Sequence, residues 1–342
     1  MTVHLTCPHD TSPLQLQDKG YLCASCSRVY PINDGVVMFT EPGFYWGEIP
    51  QQDMRNLLKQ IVDRGFASAM EWLAHTHPGR DRFALDPGRA DWRVALDLQP
   101  GMRALDIGCG LGSMTFALAD QGLEVCAVDT TFERVAFVEA RRQAEHQDRV
   151  MTFLADAYTL PFAAASFDLI ICNGLLEWIA VGHDEADPST IQQRFLERLR
   201  LLLKPGGVLY IGIENRWALA YWRGGIDHSG WRYTSLVPRW LATAVLRIGG
   251  RGAYQTYTYG YDGYQKLFHR AGFNQVETYL PYPGYNNPVT LIPYEALLPL
   301  RNFLSSRKTM KRLPSWLQRV VSHPLMVRWY RRLSFSYCFY LR

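Results

Sequence analysis

No apolar run in this 342-residue chain is long enough to span a membrane, and no basic-then-apolar leader stands at its front. Both absences predict a chain that stays in the cytoplasm. Seven cysteines, an odd number with three gathered near the front, argue against a disulfide framework and fit a reducing compartment. Internal repeats and low-complexity segments are also missing, which sets aside solenoid and disordered classes. From Ala296 onward there is no Asp or Glu at all, against ten Lys plus Arg. The preceding residues therefore carry 26 basic against 32 acidic side chains, so the overall charge of +4 hides two oppositely charged regions. The basic end is expected to face something anionic. With 48% hydrophobic and 13% aromatic residues, the chain can bury one large domain, or one domain plus a small module.

The most informative stretch present is Ala104–Ala119, ALDIGCGLGSMTFALA. An apolar strand runs into a turn with Gly108, Gly110 and Gly112, and a helical pattern follows. Glycines there allow a sharp bend and let a ligand approach without a Cβ in the way. A dinucleotide site would put a pyrophosphate at the helix N-terminus, where Asp106 would repel it. The third glycine is also one residue early for G-x-G-x-x-G, since Ser113 fills that slot. An acid beside the glycines suits a cationic ligand instead.

Further strands end in polar groups at matching distances. Val125–Asp129 ends in an acid about twenty residues past the glycines, where a carboxylate can accept two ribose hydroxyls. Phe153–Asp156 ends in an acid suited to an adenine amino group. Phe167–Asn173 is followed by Gly174-Leu-Leu-Glu177-Trp178, and Leu199–Leu203 turns through Lys204-Pro-Gly-Gly207 into a strand at Val208–Ile213. The set LDIGCG, AVDTT, ADAYTLPF, FDLIICNGLLEW and LLKPGG resembles the class I S-adenosylmethionine-dependent methyltransferases, over roughly residues 85–280. The resemblance implies an α/β, Rossmann-like, seven-stranded sheet and S-adenosylmethionine as donor, whose ammonium and sulfonium suit Asp106. It places the donor on Asp106, Gly108, Cys109, Gly110 and Gly112, then Asp129 and Thr130, then Asp156 and Ala157, then Asn173 and Gly174. The thiols of Cys109 and Cys172 themselves read as small packing groups.

Five segments follow: a β-rich module over 1–42, a helical lead-in over 43–98 with helices at Gln51–Leu73 and Ala90–Leu98, the donor-binding core over 99–280, a basic aromatic insertion over 281–333, and a closing strand over 334–342. The core's sixth strand is expected at Gly272–Tyr279, after a helix at Tyr264–Ala271. The front module resembles zinc ribbons that accompany many bacterial methyltransferases. Its second knuckle, Cys23-Ala-Ser-Cys26, is intact, whereas the first reads Cys7-Pro-His-Asp10. Asp10, or His9, completes a structural zinc site with Cys7, Cys23 and Cys26, or apolar residues hold the hairpin without metal.

Acceptor chemistry is expected after the fifth strand, at Glu214-Asn215-Arg216 and Asp227-His228-Ser229-Gly230, with Glu177 after the fourth. His228 beside Asp227 has the composition of an oriented base for a hydroxyl acceptor, and the same four residues are equally ordinary turn chemistry. Arg216 either clamps an anion or pairs with Glu214. His183 reads as a solvated loop residue. Gly212–Trp217, Asp-His-Ser-Gly and Tyr279–Pro288 resemble a bacterial subgroup associated with surface polysaccharide synthesis. That resemblance implies O-methylation of a glycan, a lipid-linked sugar or a small metabolite. The tyrosines of 254–285 suit stacking on sugar rings or packing in a core. Trp316, Trp329 and Tyr330 among Arg319, Arg328, Arg331 and Arg332 suit an anionic membrane face or a lipid-linked pyrophosphate. Two other classes stand beside this one. They are an RNA methyltransferase, which the basic aromatic end also fits, and a non-catalytic methyltransferase-like subunit, against which the intact donor motif argues.

Overall fold

Strands covered on both faces read as continuous apolar runs, and such runs form the centre of this α/β protein. The structure, a computed structural model, describes residues 3–45, 47–183, 186–306, 314 and 323–342. The chain divides into two units, Met1–Cys172 with Arg198–Leu209, and Asn173–Glu197 with Tyr210–Arg342.

The first unit opens with an antiparallel meander of β1 (Leu14–Gln17), β2 (Gly20–Cys23), β3 (Val29–Asn33) and β4 (Val36–Met38). Three helices follow: α1 (Gln51–Arg64), α2 (Phe66–Thr76) and α3 (Arg80–Leu85). The single helix expected over Gln51–Leu73 is broken at Gly65, whose φ of 83° only glycine adopts cheaply. The helix expected over Ala90–Leu98 is instead a 3₁₀ run, Pro87–Ala95, with Asp86 accepting from the Gly88 amide. Next come β5 (Arg103–Ile107), α4 (Ser113–Asp120), β6 (Glu124–Asp129), α5 (Phe132–Ala144), β7 (Val150–Leu154) and β8 (Phe167–Asn173). Met54, Leu57, Met70 and Leu73 of the lead-in pack with Leu111 and with Phe137 of α5.

Strand order in this unit is β1-β2-β3-β4-β7-β6-β5-β8, and β4 onward is parallel. The front module is therefore continuous with the donor-binding sheet, Val37 of β4 standing opposite Phe153 of β7. Chain direction across the sheet reverses at β5, which pairs with β6 on one side and β8 on the other. Ligands of such sheets sit outside the strand carboxyl ends at that reversal, where β5 delivers the glycine turn.

α6 (Pro188–Leu202) and β9 (Leu203–Glu214) each run through residues of both units. The second unit also contains α7 (Leu219–Trp222), α8 (Arg239–Ile248), α9 (Tyr261–Arg270), β10 (Val276–Gly284), β11 (Asn287–Pro293), α10 (Leu297–Ser306), α11 (Pro324–Arg332) and β12 (Ser336–Leu341). Its strand order is β9-β12-β10-β11. β12 lies antiparallel to β10, Thr278 opposite Phe339. β11 is unforeseen: Pro288 and Pro293 speak against a strand, yet β11 is the edge of the order, where missing amide donors are tolerated. The segment expected as an insertion from residue 281 thus begins inside a hairpin.

Tyr254, Tyr257, Tyr264, Phe268, Phe273 and Tyr285 are buried. Tyr264 stacks on Phe268 and meets Phe339, so these rings build core and are not free for sugar stacking. In the basic region, Trp316 and Arg319 lie outside the described residues. Arg331 donates to Glu295 and Arg332 to Asp262, while Trp329 is exposed. Among the described residues no helix is long and apolar enough to cross a membrane.

Candidate active site

In the first unit, Gly108, Gly110 and Gly112 adopt φ of 70°, 55° and 78°, so the turn after β5 is left-handed at three places. A Cβ at Gly112 would come within 3.0 Å of Val138 Cγ2, whereas one at Gly110 would meet open space. Gly110 is thus required for its conformation and Gly112 for both conformation and close packing. The amide of Gly110 donates to Asp129 Oδ2 at 3.1 Å, and that of Thr131 to Asp129 Oδ1 at 2.9 Å. Each carboxylate oxygen keeps a further acceptor position, which is what a ribose diol needs. Arg134, one turn into α5, reaches Asp129 at 3.8 Å and Glu48 at 2.8 Å.

Asp106 is buried, and Thr115 donates its hydroxyl to Oδ2 at 2.6 Å. Burial pushes the Asp106 carboxyl up to about 6, against the pull of that hydrogen bond. A cation is the ligand that would make its charge affordable. Asp156 accepts the Tyr158 amide on Oδ1 at 2.7 Å, Ala157 is buried beside it, and Thr130 is exposed. Burial raises the Cys109 thiol well above its ordinary range, and Cys172 is fully buried, so both pack and neither reacts. The acids and glycines fit a donor carrying an ammonium, a ribose and an adenine. Thr115 and Arg134 escaped the reading of the sequence, because a helical Thr and Arg carry no local signal of the acid each serves.

The second unit brings together three expected residues from separate stretches of chain. Glu177 follows β8, Glu214 ends β9, and His228 lies in the loop after α7. His228 Nε2 stands 3.2 Å from Glu214 Oε2 and 3.7 Å from Glu177 Oε1. Glu177 is fully buried, Glu214 nearly so, and the His228 side chain keeps 24% of its exposure. Trp178 meets the imidazole edge-on, centroids 4.8 Å apart. Tyr285 donates to Glu214 Oε1 at 2.9 Å, and Tyr264 to the Glu214 carbonyl. Burial disfavours the imidazolium, but the negative charge of Glu214 at 3.2 Å, with Glu177 and Asp227, outweighs it and pushes His228 up to about 9. Burial raises Glu177, helped by the charge of Glu214. Glu214 goes down: burial opposes ionisation, and His228 and Tyr285 overcome it.

Other expected residues have different work. The Asp227 carboxylate accepts the Ser229 amide and the Thr234 hydroxyl, both at 2.8 Å, so it shapes the turn, and the carboxylates beside the imidazole are Glu214 and Glu177 instead. Arg216 neither pairs with Glu214 nor stands free; it donates to the carbonyls of Ser235 and Val237 and lies over Trp217. Asn215, fully buried, holds the carbonyls of Arg332 and Ser334 and accepts the Trp217 amide. Asn173 and Gly174 belong to this unit. Asn173 bonds Tyr210 and Asn286, and a Cβ at Gly174 (φ 63°) would come within 2.9 Å of the Tyr285 hydroxyl.

In the front module, Cys7, Asp10, Cys23 and Cys26 converge, while His9 is exposed and outside the group. Cys7 Sγ and Cys26 Sγ are 3.7 Å apart, and Cys23 Sγ is 3.4 Å from Asp10 Oδ2. Sulfurs bound to one tetrahedral zinc stand about 3.8 Å apart, so a Cys₃Asp set fits that ion.

A family model described as a methyltransferase domain matches residues 105–211. The ubiquinone biosynthesis O-methyltransferase of Xanthomonas campestris pv. campestris (strain B100) is 30% identical over 177 residues, 50% of this chain and 68% of that protein. Its namesake from Xylella fastidiosa (strain 9a5c) is 32% identical over 172 residues, 49% of this chain and 64% of that one. A Haemonchus contortus phosphoethanolamine N-methyltransferase 2, in complex with phosphomonomethylethanolamine and S-adenosylhomocysteine, aligns over 86% of this chain and 60% of its own. That alignment has 17% identity and a TM-score of 0.44. The [4+2]-cyclase SpnF aligns over 75% of this chain and 80% of its own, with 15% identity and a TM-score of 0.43.

Proposed function

The chain belongs to the class I S-adenosylmethionine-dependent methyltransferases, and from that premise we propose that it methylates a hydroxyl oxygen of a small-molecule acceptor. The observation that carries this reading is the Glu177–Glu214–His228 cluster, because an alcohol or phenol must be ionised as it attacks whereas many amines need no such help. The relatives named above are O-methyltransferases, which favours the same acceptor atom.

The donor supplies a methyl group on a sulfonium. Asp106 would hold its ammonium, Asp129 its ribose hydroxyls and Asp156 its adenine amino group. Placement and charge complementarity are most of what methyl transfer asks of a protein. As the oxygen–carbon bond forms, the carbon–sulfur bond breaks with its electron pair remaining on sulfur, and the hydroxyl proton passes to a base. Glu214, held ionised, raises the basicity of His228, and it is the neutral imidazole, populated as pH approaches about 9, that can take the proton. Zinc at Cys7, Asp10, Cys23 and Cys26 would be structural, since four protein ligands leave no open position.

The test titrates S-adenosylhomocysteine into the purified protein, then screens phenols, glycans and RNA for transfer of a labelled methyl group. Transfer to a small phenolic or alcoholic hydroxyl, lost in His228→Ala with donor affinity intact, supports the reading. Transfer to RNA, or to nitrogen alone, overturns it, and transfer to a glycan would restore the surface-polysaccharide assignment. Absence of donor binding would leave a methyltransferase fold serving as a scaffold.

A further inference from the structure

Among the buried polar atoms of the second unit with no hydrogen-bond partner among the described residues, four gather in one place: Oε1 and Oε2 of Glu177, Oε2 of Glu214 and Nε2 of His228. Buried polar atoms are nearly always satisfied, and a carboxylate with both oxygens unmatched is costly to keep. Here the orphans come from three side chains on three stretches of chain and converge on one point, one ligand atom from each lying within 4.8 Å of the others. The His228 contacts do not resolve the mismatch: 3.7 Å to Glu177 is beyond a hydrogen bond, and 3.2 Å to Glu214 lacks the required alignment.

We infer that Glu177, Glu214 and His228 form a binding site for a divalent transition-metal cation. Ligand atoms about 2.1 Å from one ion stand about 3.0 Å apart at right angles and about 3.4 Å apart in a tetrahedron, close to the two distances found. Two carboxylates match the charge of the ion. One imidazole with two carboxylates suits manganese, iron or zinc better than the all-oxygen set that magnesium or calcium prefers. Surrounding side chains hold the ligands as metal sites require: Tyr285 fixes Glu214 through Oε1 and leaves Oε2 free, and Trp178 sets the plane of His228. Three protein ligands leave coordination positions open, and the partial exposure of His228 gives access from solvent. The role of the ion rests on the proposed O-methyl transfer: an acceptor hydroxyl bound at an open position would lose its proton more readily.

Manganese alone is the probe, because thiolates at the front module favour zinc. Binding of Mn²⁺ is followed by calorimetry and by loss of the free-ion electron paramagnetic resonance signal. One equivalent is expected to bind the wild type. Glu177→Gln and His228→Asn should weaken it more than about 100-fold, beyond the effect of removing a supporting residue. Cys23→Ser should bind Mn²⁺ like the wild type, and S-adenosylhomocysteine should titrate normally in every variant, showing that each is folded. No uptake by the wild type at millimolar Mn²⁺, or unchanged uptake by Glu177→Gln, overturns the site. The failures are separable. Methyl transfer to a hydroxyl without Mn²⁺ uptake removes the ion and leaves His228 as direct proton acceptor, whereas uptake without any transfer to oxygen leaves the ion site and removes the acceptor assignment.

Discussion

Tyr285 gives its phenolic proton to Glu214 Oε1 at 2.9 Å, both side chains being almost wholly buried. Nothing else described donates to that oxygen, and the opposite oxygen faces His228. Tyr285→Phe keeps the ring and removes the donor. Leaving a buried carboxylate oxygen unmatched should cost about 1–3 kcal/mol of stability. Turnover should fall about 10- to 100-fold, since the residue orients Glu214. Steady-state kinetics beside a donor titration checks this. A variant that loses stability but keeps full turnover would make Tyr285 a packing residue only.

Asp129→Ala should weaken S-adenosylhomocysteine binding severely. Hydrogen bonds to a charged acceptor contribute about 1.5–3 kcal/mol each, so losing two ribose hydroxyl contacts means roughly a hundredfold or more. Part of the loss would come through the loop, because Asp129 also holds the amides of Gly110 and Thr131. Asp129→Asn separates the two effects, as its one remaining acceptor oxygen can hold one amide but not the pair. Unchanged calorimetric affinity in Asp129→Ala would sink the donor assignment.

The donor loop was legible in the sequence because everything it needs is local: an acid, three glycines and a helix start within a dozen residues, repeated by acids at later strand ends. The acid–histidine cluster was only half legible. Glu177, Glu214 and His228 could each be singled out by loop position, but only the folded chain brings them together. Adjacency pointed to Asp227 as the partner of His228, whereas a turn residue bends its side chain back onto its own backbone, here to Ser229. Tyr285 was legible only as one tyrosine of the 279–288 motif and of the 254–285 run, and nothing in the sequence tied it to Glu214. β11 was hidden by its prolines, which forbid a central strand and allow an edge.

Metal removal gives a separate prediction for the front module. The four-ligand set of Cys7, Asp10, Cys23 and Cys26 should carry about one zinc per chain, measurable by elemental analysis. Because β4 pairs with β7, chelation should lower the melting temperature of the whole first unit and not merely loosen a tail. Cys23→Ser should reproduce the shift without chelator. If chelation and Cys23→Ser leave the melting temperature unmoved and no zinc is found, the meander is held by Tyr30, Phe39 and its apolar neighbours.

The pH dependence of donor binding follows from Asp106. Its carboxyl lies at about 6 in the folded chain, above the ordinary range near 3.9, because burial disfavours its charge. For an acid raised in this way, the stability contribution is fully present below about pH 4 and is lost as pH rises through about 6. Acidification from neutral should therefore strengthen the donor-free fold at this position. It should do the opposite to donor binding, because an ammonium selects the ionised carboxylate. Affinity for S-adenosylhomocysteine should be flat above about pH 7 and fall about tenfold per unit below about 6. Asp106→Asn should bind weakly at every pH and erase the slope. Calorimetric titrations across that range decide the matter: an affinity that holds constant down to about pH 5 would mean that Asp106 faces something other than the cationic end of the donor.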